Sequence, residues 1–175
     1  MKKSSILILI IICLVGCKKG SNETTITGEI KGLGTDTLYL YGMDELYDRI
    51  DTIYVENDKF SYTTSVDTIT SAYLLLKNRI EYPVFLDKGN KIKIKGDTIN
   101  LNFLTISGNI YNEEFTDFQK ALEDPADPSE KAGEETVDKR ITVEKANTAE
   151  EMAEEFILQH HSSYVSLYLL DKYFV

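Results

Sequence analysis

Between Thr24 and Gly108 apolar side chains recur at every second position, and turn residues break the pattern at short intervals. Period two is the repeat of a half-buried strand, so this stretch predicts an antiparallel all-β unit. Ile26, Gly28 and Ile30 alternate with Thr25, Thr27 and Glu29. Leu33-Gly34-Thr35-Asp36 then reads as a turn into a strand where Leu38 and Leu40 alternate with Thr37, Tyr39 and Tyr41, and the two strands are expected to pair as a hairpin. A second hairpin is expected for residues 49–55 and 59–64 around Glu56-Asn57-Asp58, with Ile53, Val55, Phe60 and Tyr62 meeting across it. Further strands are expected at 72–77, 84–86, 91–95 and 101–107. Asp87-Lys88-Gly89-Asn90 is a turn in which Gly89 tolerates positive φ, and Pro83, lacking a donor, belongs at a strand start or a sheet edge. An open sheet built from so many short strands would leave an apolar face in water, so a sandwich is expected.

After Gly108 the period changes. Tyr111, Phe115, Phe118 and Leu122 fall at spacings that place them on one face of a helix, which Asp124-Pro125-Ala126-Asp127-Pro128 ends. Val137, Ile141, Ala149, Met152, Phe156 and Ile157 give a later helical stretch an apolar stripe, and Thr148-Ala149-Glu150-Glu151 matches a capping box. His160-His161-Ser162-Ser163 reads as a stop, with Ser163 able to cap a final helix. That helix is apolar nearly all round, from Tyr164 to Val175, and calls for something to cover it. The expected class is α+β: an antiparallel β-sandwich-like domain over residues 25–108, followed by a carboxy-terminal helical connector over 109–175.

The amino-terminal end predicts location. Lys2 and Lys3 precede an apolar run from Ile6 to Val15, too short to span a bilayer and typical of a secretory signal over residues 1–16. Leu14-Val15-Gly16-Cys17 closes the run and resembles the bacterial lipobox. The resemblance implies cleavage between Gly16 and Cys17 and lipidation of the Cys17 thiol, which would tether the chain to a membrane through residues 17–24. Several acyl chains on one residue make such anchoring effectively permanent. Lys18 stands where an aspartate would retain a lipoprotein at the inner membrane, so an outer-membrane anchor facing the periplasm or the exterior is expected.

Charge and cysteine content exclude several function classes. The 175-residue chain carries a net charge of −10, which repels nucleic acid. Its two cysteines, Cys13 and Cys17, fall in the signal and at the lipidation site. A disulfide framework, a zinc-thiolate site and thiol redox chemistry are therefore excluded from the mature body. Serine-nucleophile, phosphate-loop and His-Glu-x-x-His patterns are absent from the sequence, and no cofactor or metal is expected.

Other candidate residues have plainer readings beside the chemical ones. His160 and His161 are adjacent, and adjacent helical residues diverge by about 100°, so they suit a polar helix terminus better than a metal. Asp44, Glu45, Asp48 and Asp51 lack the spacing of a calcium loop and read as solvated loop charge. Glu150, Glu151, Glu154 and Glu155 form the polar side of a helix. Tyr39, Tyr41, Tyr54, Tyr62 and Tyr73 lie in strand-like segments, where outward rings would suit a sugar or a partner chain and inward rings simply pack.

Thr25-Ile26-Thr27-Gly28, Asp51-Thr52-Ile53, Phe60-Ser61-Tyr62 and Ser107-Gly108-Asn109 occur in the order and spacing of a known module. Over roughly residues 24–122 the chain resembles bacterial lipoproteins that begin with domain of unknown function 4369. The resemblance implies a β module that usually precedes a thioredoxin-like domain of the peroxiredoxin or disulfide-reductase type. Phe156-Ile157 and the segment from Ser163 to Leu170 are similar to the helical connector before that domain. The sequence ends at Val175 without a Cys-x-x-Cys, so that redox activity does not carry over. The expected function is a lipid-anchored, non-catalytic envelope module that docks a thioredoxin-like or other envelope protein through Leu167, Leu170, Tyr173 and Phe174. The alternatives are a truncated or split part of a thiol-disulfide oxidoreductase and a glycan-binding module.

Overall fold

The computed structural model describes residues 22–123 and 148–175. The alternating stretch folds as β1 (Glu23–Lys31), β2 (Asp36–Gly42), β3 (Ile50–Val55), β4 (Lys59–Ser65), β5 (Thr70–Leu75), β6 (Glu81–Leu86), β7 (Lys91–Asp97) and β8 (Thr105–Ser107). These strands form two four-stranded sheets, ordered β4-β1-β7-β8 and β3-β2-β5-β6. Pairing is antiparallel except between β1 and β7, where Ile26 lies opposite Ile92 and Gly28 opposite Ile94 in parallel register. The inward positions meet between the sheets: Ile26, Ile30, Ile92 and Ile94 from one, Leu38, Leu40, Ile53 and Leu74 from the other, all buried. Burial of each such side chain stabilises by about 1.5–3 kcal/mol, and this layer holds the sheets together.

Neither expected hairpin forms as such. β1 and β2 lie in different sheets, so Ile26 and Leu38 enter the core from opposite layers instead of sitting side by side. Alternation specifies which face a side chain takes and leaves the neighbouring strand open. Here Gly32 (φ 79°) and Gly34 (φ 72°) carry the chain from one layer to the other. The turn at 56–58 is tight, with Asn57 and Asp58 at positive φ and backbone bonds of 2.9 and 3.1 Å between Glu56 and Lys59. Beyond that bridge β3 and β4 diverge into opposite sheets, and Ile53, Val55 and Phe60 enter the core from opposite sides. The two crossings brace each other: Gly34 N–H donates to Asp58 Oδ1 at 2.6 Å, and Asp58 N–H to the Gly34 carbonyl at 2.9 Å.

Strand boundaries also differ from expectation: β5 runs Thr70–Leu75 where 72–77 is expected, and β7 extends to Asp97. β1 starts at Glu23, inside the 17–24 stretch read as tether. The strand expected at 101–107 shrinks to Thr105–Ser107, because Asp97 Oδ1 accepts from the N–H groups of Ile99 (2.8 Å) and Asn100 (3.2 Å) and turns the chain. β6 begins at Glu81 and is an edge strand, the position that suits Pro83.

Helix α1 (Ile110–Glu123) follows the apolar spacing of Tyr111, Phe115, Phe118 and Leu122 and is capped by Asn109, whose Oδ1 accepts the Asn112 N–H at 2.9 Å. Its Phe115 sits at the centre of an aromatic cluster, 5.9 Å from the Tyr82 ring, 6.2 Å from Phe85 and 5.3 Å from Tyr168. Helix α2 (Ala149–Gln159) starts with the expected capping box, Thr148 and Glu151 satisfying each other's N–H groups. Helix α3 (Tyr164–Phe174) starts at Ser163, whose Oγ accepts from Val165 N–H at 3.1 Å. The helix stop at residues 124–128, together with Val137 and Ile141, lies outside the described residues. Five of the six β6 residues are buried although it borders a sheet: Tyr82, Val84 and Leu86 share the inward face of Leu74, Ala72 and Thr70, and Phe85 is covered by Tyr111 of α1 and Tyr168 of α3.

Candidate functional site

Helix α3 is divided lengthwise. Val165, Tyr168 and Leu169 are buried, with Tyr168 set edge-on to Phe85 and Phe115. Leu167, Leu170 and Phe174 point the other way and are 61%, 45% and 41% exposed. Tyr173 differs from its expected companions: it falls four residues after Leu169, and its ring is half-buried against the core. The exposed apolar strip of α3 therefore consists of Leu167, Leu170 and Phe174.

The outer face of the β3-β2-β5-β6 sheet is aromatic. Tyr39, Tyr41, Tyr54 and Tyr73 all project there, Tyr41 directly opposite Tyr73 with ring centroids 5.7 Å apart. Burial, reinforced by a hydrogen bond to Glu81, pushes the Tyr41 phenol well above its ordinary range. Tyr54 is 73% exposed at the sheet edge. Tyr62 is on β4 in the other sheet, so it does not join this group.

The acidic loop residues separate into fold-building and solvated ones. Asp44 caps the short 3-10 turn Glu45–Tyr47, accepting Leu46 N–H at 2.8 Å. Asp51 accepts from the Tyr47 hydroxyl and from Arg49 Nε at 3.2 Å, while the Arg49 guanidinium lies 4.7 Å over the Tyr47 ring and reaches Thr64 on β4. This cluster clasps β3 to β4 where the two sheets part. Burial, with Asp51 beside it, pushes the Tyr62 phenol up to about 12. Glu45 and Asp48 remain exposed on the rim of a polar pocket of about 380 Å³ beside Arg49, Asp67 and Thr68.

His160 stacks on Phe156 at 4.3 Å and its Nδ1 lies 3.2 Å from the Phe156 carbonyl, while His161 is exposed. Among the described residues, no three His, Cys, Asp or Glu side chains are grouped to hold a metal ion. Glu150, Glu151, Glu154 and Glu155 are all exposed on α2. Leu14, Val15, Gly16 and Cys17, the residues expected to form a lipobox, lie outside the described residues.

Sequence reasoning missed the polar joints between helix and sheets. Asn112 bonds both backbone groups of Phe85 on β6, and Thr116 Oγ1 accepts from Ile106 N–H and donates to Ile106 C=O on β8, both at 2.9 Å. Tyr82 does the same for Leu104, donating to its carbonyl at 2.8 Å and accepting its N–H at 3.1 Å. The available signal was an Asn and a Thr, both weak helix formers, four residues apart on the buried side of α1.

This architecture defines an α+β module: a β-sandwich whose edge strands β6 and β8 are closed by one helix, with two further helices at the carboxy-terminal end. The family model described as domain of unknown function (DUF4369) matches residues 24–115, from β1 into the first turns of α1, and the chain belongs to that family. None of the curated proteins matches the chain.

Proposed function

We propose that the chain is a lipid-anchored, non-catalytic envelope module that docks another envelope protein through α3. One observation carries the docking: three large apolar side chains, Leu167, Leu170 and Phe174, form an exposed strip on a helix whose opposite side is fully engaged. The anchor rests on the resemblance of Leu14-Val15-Gly16-Cys17 to the bacterial lipobox, and Lys18 after it supports an outer-membrane location facing the periplasm or the exterior. A photo-crosslinking side chain at Leu167 or Leu170 should capture one discrete envelope protein, while the same group at exposed Lys88 should not. Equal capture from both positions would contradict docking. Palmitate should label the wild type, and retention of label by Cys17→Ala would contradict the anchor.

The tyrosine face supports a second reading, glycan binding. Tyr39, Tyr41, Tyr54 and Tyr73 share one sheet surface on which a sugar can stack. Silence on a glycan array, or binding that survives Tyr39→Ala/Tyr54→Ala, would remove it.

A further inference from the structure

The outer face of the β4-β1-β7-β8 sheet carries the opposite charge from the rest of the protein. Lys91, Lys93 and Lys95 project from β7 at every second residue, about 7 Å apart, and Lys59 projects from β4. Register brings them together: Thr27 lies between Lys93 and Ser61, and Glu29 between Lys95 and Lys59. All four lysines are exposed, and among the described residues none makes an ion pair within 4.0 Å. The carboxylates among them are Glu29 and, bridged directly opposite Lys59, Glu56. At the ends of the face, Glu23 starts β1, while Asp97 lies opposite Lys31 and is engaged by the N–H groups of Ile99 and Asn100. Between the lysines the surface dips into a shallow depression of about 350 Å³ lined by Thr27, Glu29, Lys59, Lys93 and Lys95.

A chain of net charge −10 is repelled from an anionic surface in every orientation but one that presents a local cationic face. We propose that this lysine face docks on the anionic phosphate headgroups of the bilayer that holds the chain. The proposal rests on the lipid anchor at Cys17. Residues 18–22 separate that cysteine from β1, the central partner of β7, and five residues reach at most ~18 Å. The tether thus keeps the face close to the headgroups, where screening acts over about 8 Å at physiological salt. Docking this face leaves the tyrosine sheet and the α3 strip turned away from the membrane or along it.

The test compares full-chain wild type with a Lys59→Thr/Lys91→Thr/Lys93→Thr/Lys95→Thr variant on vesicles of pure phosphatidylcholine and of phosphatidylcholine with roughly a third phosphatidylglycerol. Each lysine near an anionic surface strengthens binding by about fivefold, so the preference for charged vesicles should fall at least ~50-fold in the variant. In the wild type the preference should also collapse at high salt. The substituted side chains are exposed, and an unchanged thermal midpoint verifies the fold. Equal preferences for wild type and variant, or no preference in the wild type, would overturn the face. Attachment to pure phosphatidylcholine reads the anchor alone. A chain that fails to attach there, yet keeps its wild-type-over-variant ratio on charged vesicles, contradicts the anchor and supports the face.

Discussion

The side-chain amide of Asn112 closes on both backbone groups of Phe85: Oδ1 accepts the N–H at 3.0 Å and Nδ2 donates to the carbonyl at 2.8 Å. β6 borders its sheet, so this amide stands where the next strand would otherwise bond. Asn109 Nδ2 also reaches the Phe85 carbonyl at 2.8 Å, which leaves the N–H dependent on Asn112. Asn112→Ala therefore orphans one buried donor, and urea unfolding should show a loss of about 1–3 kcal/mol. Asn112→Asp keeps the acceptor but turns a buried carboxylate oxygen toward the carbonyl; its stability should recover as pH falls and the carboxyl is protonated. Thr116→Val, which strips both groups of Ile106 of their partner, should cost as much as Asn112→Ala, whereas Thr116→Ser should be mild.

Gly108 joins β8 to the α1 cap at φ 113°, and a Cβ there would stand 2.2 Å from the Lys91 carbonyl oxygen. The backbone angle and the close approach both exclude a side chain. Gly108→Ala should lose at least about 1–3 kcal/mol and shift the β7–β8 amide resonances, because β7 has to move away. Gly34→Ala makes a useful contrast: φ is also positive, but open space surrounds that position, so only the conformational penalty applies.

The parts of this fold that were legible in sequence are those that local chemistry decides. Ser163 and the Thr148–Glu151 pair cap helices because a side-chain oxygen two or three residues from a free N–H needs no tertiary help. Alternation at Ile26–Ile30 and Leu38–Leu40 identified inward faces, since period two is a property of the strand itself. Strand partners were not legible. The parallel neighbour of β1 is β7, more than sixty residues away, and neither sequence contains a term for the other. In the candidate site, the apolar character of α3 was visible, but its exposed side follows from where Phe85 and Phe115 receive Tyr168, which only the packing reveals.

That division of α3 predicts opposite responses on its two sides. Leu169 is fully buried, and Leu169→Ala should destabilise the isolated protein by about 2–4 kcal/mol. Leu167→Glu and Leu170→Glu should change stability by no more than about 0.5 kcal/mol, since exposed positions rarely matter to the fold. The same two substitutions should abolish partner capture. Chemical denaturation measures the first effect and crosslinking the second; large destabilisation by Leu167→Glu would mean that the strip belongs to the core.

Alkaline pH should unfold the protein through its tyrosines. Burial raises the phenols of Tyr47, Tyr82 and Tyr168 above the ordinary value of 10.0, and burial beside Asp51 lifts Tyr62 to about 12. Above pH ~10 the unfolded chain releases these protons while the folded chain keeps them, so the unfolded state binds fewer protons and stability falls as pH rises. Their contribution is fully present below pH ~10 and is lost as pH climbs through the raised folded values. Urea midpoints should therefore decline steeply above pH ~10, and a step in tyrosinate absorbance should coincide with loss of the folded signal. Tyr168→Phe keeps the ring packing against Phe115 and removes one of these titrating groups, so its midpoint should decline less steeply over the same range. An identical slope in wild type and Tyr168→Phe would mean that this phenol ionises without opposing the fold.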